Sequence, residues 1–116
     1  MTTPLLSKGD IWLIDLDPTK GAEIQKTRPA IIVNSNAVGK LPLKIVVPIT
    51  DWKPQYASFA WFARLIPDGQ NGLSKESGAD AFQVRSVSTT RFVKYVGKLS
   101  DSDLKRVIRA LIVCYQ

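Results

Sequence analysis

The chain contains no histidine, one cysteine and one methionine in 116 residues. Without histidine there is no Ser-His or Cys-His nucleophilic pair, no imidazole metal ligand and no two-histidine acid–base scheme. The single Cys114 has no intramolecular disulfide partner and cannot build a structural zinc cluster. It is expected to be a small apolar helix residue in a reducing cytoplasm. No glycine-rich phosphate loop of the nucleotide-binding kind is present. No apolar run approaches the roughly 20 residues of a membrane helix. Met1 to Lys8 lacks the basic start and apolar block of a secretory signal, so a cytoplasmic chain with no membrane partner is expected. Neither repeats nor low-complexity segments occur.

What is present suits one globular domain spanning 1–116: 45% apolar and 22% charged residues. Sixteen Lys and Arg against ten Asp and Glu give a net charge of +6. Such an excess attracts polyanions, nucleic acid first among them, although lysines also serve simply to solubilise.

Short β-branched runs bounded by turn residues dominate the chain. Strands are expected at Ile11–Leu16, Ala30–Val33, Lys44–Ile49, Ser58–Ile66, Ala79–Val84 and Phe92–Lys98, with a helical turn at Ser86–Arg91. Asp17-Pro18-Thr19-Lys20-Gly21, Asn34-Ser35-Asn36 and Pro67 to Gly72 are turn chemistry, since proline presets φ while aspartate, asparagine and glycine cap or adopt positive φ. Ser100 with Asp103 forms a capping-box variant, and Leu104, Val107, Ile108, Leu111, Ile112 and Tyr115 then recur on one helical stripe opposite Lys105, Arg106 and Arg109. Several short strands closed by one helix suggest a small, strongly bent antiparallel barrel or sandwich.

Two runs stand out for chemistry. Lys26-Thr27-Arg28-Pro29-Ala30-Ile31-Ile32-Val33 and Val46-Val47-Pro48-Ile49-Thr50 each hold one polar residue at a strand end beside a proline. If those ends meet, a guanidinium and a hydroxyl converge on a small anion, a phosphate in the first instance. Arginine is a poor base but stabilises charge growing on a phosphorane. Glu23 either accepts a proton or pairs with Arg28 and holds its fork. Asp15 and Asp17 lie on one strand face, yet Asp17 is better explained as the cap of its turn, so no metal and no cofactor are expected. For Trp52 and Tyr56, stacking on nucleic-acid bases and packing within a loop are both open, whereas Phe82 is expected in the core.

Gly9-Asp10-Ile11-Trp12, the run Asp15-Leu16-Asp17-Pro18-Thr19-Lys20-Gly21-Ala22-Glu23, the step Arg28-Pro29-Ala30, Val47-Pro48-Ile49-Thr50 and Gln83-Val84-Arg85-Ser86 together resemble the MazF/PemK family of toxin–antitoxin endoribonucleases. The match spans nearly the whole chain in order. It implies a mainly β fold with a C-terminal helix, the SH3-like small barrel of MazF/PemK/CcdB-like toxins. It also implies a homodimer, an acidic antitoxin, and metal-independent cleavage of single-stranded RNA by 2′-OH attack, leaving a 2′,3′-cyclic phosphate and a 5′-OH. The family's catalytic arginine falls on Arg28 and its threonine or serine on Thr50, while Glu23 matches an acid of some members. Gln83 and Ser86 match positions near the RNA groove. Lys20, Lys26, Trp52 and Arg85 are the further expected substrate contacts. Some members use a histidine that this chain lacks, which leaves the proton acceptor unassigned. Two other readings stand beside this one: a non-enzymatic toxin of the same fold that binds DNA gyrase, and a plain nucleic-acid-binding barrel.

Overall fold

A computed structural model describes residues 6–18, 20–23, 26–38 and 42–116; Thr19, Ile24 and Gln25 of the loop after the first strand, and Met1 to Leu5, lie outside that set. Among the described residues the chain forms β1 (Asp10–Asp15), β2 (Thr27–Ile32), β3 (Leu43–Asp51), β4 (Phe62–Leu65), β5 (Ser77–Asp80), β6 (Arg85–Ser88), β7 (Phe92–Lys98) and α1 (Asp101–Val113). Short 3₁₀ turns occupy Pro54–Ser58, Ala81–Gln83 and Thr89–Arg91. No described helix is long and apolar enough to cross a membrane.

The strands make one antiparallel sheet in the order β4-β5-β3-β2-β1-β7, with β6 also on β3. Its path is open, ending at β4 and β7, and register shifts between β1 and β7 at Ile11/Trp12 and Leu13/Ile14 bend it strongly. The expected mainly β fold with a terminal helix is the fold observed.

Strand β3 is the hub. It pairs with β2 over Val46 to Pro48, with β6 over Leu43 to Val46, and with β5 over Ile49 to Asp51. Ile49 faces Ala79 whereas Ile45 faces Ser86: four residues along β3 correspond to seven along its partner. Three residues are therefore looped out, and the 3₁₀ turn Ala81–Gln83 is where they go. The expected strand Ala79–Val84 is thus the end of β5 followed by this turn, and β6 begins only at Arg85. Asp80 caps that turn, its carboxylate accepting the Phe82 N–H at 3.1 Å.

The apolar runs show little alternation because both faces of β1–β3 are covered. Ile11, Ile31, Val47 and Ile49 pack with Leu65, Leu99 and Val107 on one side. Trp12, Ile14, Ala30, Ile32, Val46 and Val87 pack on the other. In α1 the Ser100 hydroxyl accepts the Asp103 N–H, and Leu104, Val107, Ile108 and Leu111 join the first cluster. The apolar stripe does not continue inward to its end, since Ile112 is half exposed and Tyr115 is 76% exposed. Arg106, expected on the solvated face, donates to the Arg64 carbonyl at 2.7 Å and ties α1 to β4.

Two further expectations are corrected. Ser58–Ile66 is not one strand: the 3₁₀ turn Pro54–Ser58 precedes a short β4. Its aromatic residues pack on one another, with Tyr56 stacked on Phe62 at 4.0 Å and Phe59 on Trp61 at 4.7 Å, so their β propensity is spent on ring contacts instead of a ladder. In place of a helical turn over Ser86–Arg91, β6 runs to Ser88 and only Thr89–Arg91 coils.

Candidate active site

Pro48 has no N–H to give, and the β2–β3 ladder stops at the Ala30–Pro48 pair. From Ile49 onward β3 pairs with β5. Extending the register by two residues sets Arg28 opposite Thr50 where the strands part, and a cavity of about 350 Å³ opens there. Arg28, Thr50, Asp51, Ser74, Lys75 and Ser77 give it polar groups, over a floor that includes Leu13 and Val96. Arg28 and Thr50, expected to meet from their strand-end positions, line the same cavity.

The far wall of this cavity is the loop between β4 and β5, and it is held firmly. Asn71 is fully buried; its Nδ2 donates to the Ile66 carbonyl and its Oδ1 accepts from the Leu73 N–H at 3.0 Å. Gly72 adopts φ +69, and a Cβ there would lie 2.1 Å from the Val96 carbonyl oxygen, so only glycine lets β7 pass so close. The Ser77 hydroxyl donates to the Lys75 carbonyl at 2.9 Å, and the Trp52 N–H donates to the Glu76 carbonyl at 3.2 Å. These contacts fix Ser74 and Lys75 against Thr50 and Asp51. Lys75 Nζ lies 3.1 Å from Asp51 Oδ2.

A second cavity of about 530 Å³ is lined by Leu16, Glu23, Pro48, Phe82, Gln83 and Arg85 among others. Glu23 Oε1 accepts the Lys20 N–H at 2.8 Å, closing the turn in which it sits. Gln83 Nε2 donates to Asp80 Oδ2 at 3.2 Å and to the Ala22 carbonyl at 3.4 Å. Burial pushes the Asp80 carboxyl above the usual carboxylate range, against the pull of the Phe82 N–H and the Gln83 amide. Arg85 Nη1 donates to the Leu16 carbonyl at 3.2 Å. Arg91 reaches the same stretch, donating to the carbonyls of Asp15 and Asp17. Asp17 Oδ1 in turn accepts the Lys26 N–H at 2.9 Å, as expected of a turn cap.

The expected site residues thus divide between two cavities and the surface around them. Arg28 and Thr50 share the first cavity, while Glu23, Gln83 and Arg85 share the second. Lys20 and Lys26 are exposed on the connecting loop, Lys26 at φ +69, and Ser86 is exposed on β6 opposite Ile45. Trp52 is packed: edge-on to Tyr56 at 5.8 Å, beneath the Arg64 guanidinium at 5.4 Å and against Gly78. Phe82 is not a core residue but is 72% exposed at the rim of the second cavity, because the 3₁₀ turn lifts it out of the sheet. No local motif marks Asp51, Lys75 or Asp80 as site residues. Asp51 follows Thr50 directly, but only the β3–β5 register brings Lys75 to it.

The sequence of residues 7–115 matches the model of a family described as PemK-like, MazF-like toxins of type II toxin–antitoxin systems. The endoribonuclease MazF9 of Mycobacterium tuberculosis is 30% identical over 113 residues, covering 92% of this chain and 93% of that protein. Among solved structures, MazF of Deinococcus radiodurans superposes with a TM-score of 0.75 at 20% identity, covering 94% of each chain. A mycobacterial endoribonuclease solved with its cognate antitoxin gives a TM-score of 0.73 at 14% identity, covering 94% of this chain and 93% of the other. Fold and sequence together define a toxin of the endoribonuclease class. The chain belongs to the PemK-like, MazF-like family of type II toxin–antitoxin systems.

Proposed function

We propose that this chain is the toxin of a type II toxin–antitoxin pair, and that it cleaves single-stranded RNA at the Arg28–Thr50 cavity. The observation that carries the reading is that Arg28, which is permanently charged, and Thr50, which bears a hydroxyl, line one cavity at the parting of β2 and β3. In the reaction the ribose 2′-oxygen attacks the adjacent phosphorus while its proton passes to water, and the P–O5′ bond breaks as the leaving 5′-oxygen takes a proton from water, giving a 2′,3′-cyclic phosphate and a 5′-OH. Arg28 stabilises charge on the non-bridging oxygens and the Thr50 hydroxyl donates to one of them. The nucleophile belongs to the substrate, so the scheme requires no metal. Glu23, one oxygen of which holds the turn at Lys20, shapes the neighbouring cavity, where Gln83 and the exposed Phe82 ring offer hydrogen bonds and a stacking face to an unpaired base. Lys20, Lys26 and Arg85 add positive charge along the path.

Arg28→Ala and Thr50→Ala should each lower cleavage of a long unstructured RNA by about 10²–10³ with unchanged circular dichroism. Cleavage should persist in excess EDTA and stop when the scissile 2′-OH is replaced by hydrogen. A folded Arg28→Ala protein with wild-type activity, or equal cutting of the 2′-deoxy substrate, overturns the reading.

A further inference from the structure

The Arg28–Thr50 cavity holds a second cation that the reaction above does not use. Lys75 stands on its far wall, with the backbone around it fixed by Asn71, by Gly72 against β7 and by the Ser77 hydroxyl. Its ammonium is paired with Asp51, the residue after Thr50, while 65% of the lysine side chain and 56% of the aspartate side chain remain exposed. An ion pair so open to water is weakly held and exchanges readily for a stronger anion. A carboxylate so loosely held can give way to a phosphate, which an ammonium suits as a compact point charge.

We infer that Lys75 is a phosphate-binding residue of the RNA site, and that Asp51 is the intramolecular anion it releases when RNA enters. The inference rests on the RNA-cleaving reading and adds a second anchor: Arg28 acts at the scissile phosphate and Lys75 takes a neighbouring one. The two partners of the pair therefore act in opposite directions. Removing Lys75 removes an attraction, and removing the Asp51 charge removes a competitor. A salt bridge serving only the fold gives the same sign for both.

The test is steady-state cleavage of a long unstructured RNA by the full chain across a range of salt concentrations. Lys75→Ala should raise KM about five- to tenfold with kcat changed less than about threefold. It should also flatten the dependence of log KM on log salt by about 0.7, the share of one phosphate on a single strand. Lys75→Arg should restore both, and Asp51→Asn should lower KM. An unchanged KM and slope in Lys75→Ala, or a rise in KM in Asp51→Asn to match it, overturns the inference. A fall of 10² or more in kcat for Asp51→Asn also overturns it, since the carboxylate would then be handling a proton. Binding of an uncleavable 2′-deoxy-substituted strand keeps the two readings apart. If the wild-type protein cuts nothing, the cleavage reading fails, while the Lys75 salt slope is still measured on the dissociation constant.

Discussion

At the scale of single residues, Asp80 sets the second cavity. Its carboxylate caps the 3₁₀ turn and holds the Gln83 amide, yet it is buried among groups that do not fully repay its lost water. Its pKa is raised in the folded protein, so the native state takes up a proton more readily than the unfolded chain. That contribution to stability is present below the ordinary aspartate pKa and is lost as pH rises through the raised value. The neutral isostere Asp80→Asn escapes this loss. Urea unfolding from pH 4 to pH 7 should show the stability of Asp80→Asn improving relative to wild type as pH rises, with no further change once the wild-type carboxyl is fully ionised. A gap that moves the other way, or none, contradicts the assignment. Arg85 carries a related lesson, since a cation expected to face substrate has one amino group turned onto the Leu16 carbonyl.

At the scale of elements, the wall of the first cavity depends on β7 running directly under the Gln70–Gly72 loop. A Cβ on Gly97 would lie 2.4 Å from the Asn71 carbonyl carbon and 2.5 Å from the Gln70 oxygen, so Gly97→Ala must displace backbone. The expected cost is about 1–3 kcal/mol, read as a fall in Tm of about 4 °C per kcal/mol for a chain of this size. Cleavage should weaken as well, because Ser74 and Lys75 move with the loop. An Arg91→Ala variant should loosen the opposite side, where Arg91 holds the Asp15 and Asp17 carbonyls and Asp17 holds the Lys26 N–H two residues before Arg28. Faster amide exchange at Lys26, with the β7–β1 ladder still protected, would report it. Strands β2, β3 and β7 and helix α1 were legible because β-branched runs end at turn residues and the 3.6 period begins at a hydroxyl cap. That Arg28 and Thr50 come to one cavity was legible because Arg28 precedes Pro29 and Thr50 lies two residues past Pro48, where the β2–β3 ladder ends. The Asp51–Lys75 pair, the split of the Ala79–Val84 run and the exposure of Phe82 follow from register and from three looped-out residues, and no local pattern encodes them.

For the whole molecule, charge and assembly decide how the site meets its partners. Net charge +6 makes RNA affinity strongly salt-dependent. The homodimer that the family resemblance implies would bring two such charges to one surface, and the exposed end of α1 at Ile112 and Tyr115 offers apolar area to a second copy. An acidic, partly disordered antitoxin segment suits such a surface in charge and in reach. Light scattering at micromolar concentration should report about twice the 12.8 kDa chain mass. A monomer that cuts RNA at full rate would refute the dimer. Added acidic antitoxin peptide should inhibit less as salt is raised.

The looped-out turn between β5 and β6 has a consequence for how such a protein can change. Ala79, before it, belongs to one hydrophobic cluster, and Val87, after it, belongs to the other. Both are anchored to β3 whatever the segment between them does. The tip bearing Phe82 and Gln83 is therefore modular. Ala81 beneath it is fully buried and Val84 packs on the first cluster, so the freedom is confined to the exposed Phe82 and to Gln83, which can vary in composition without moving Arg28 or Thr50. If the second cavity reads the base as proposed, such a separation would let target preference change at these two positions while the proposed cutting residues stay in place.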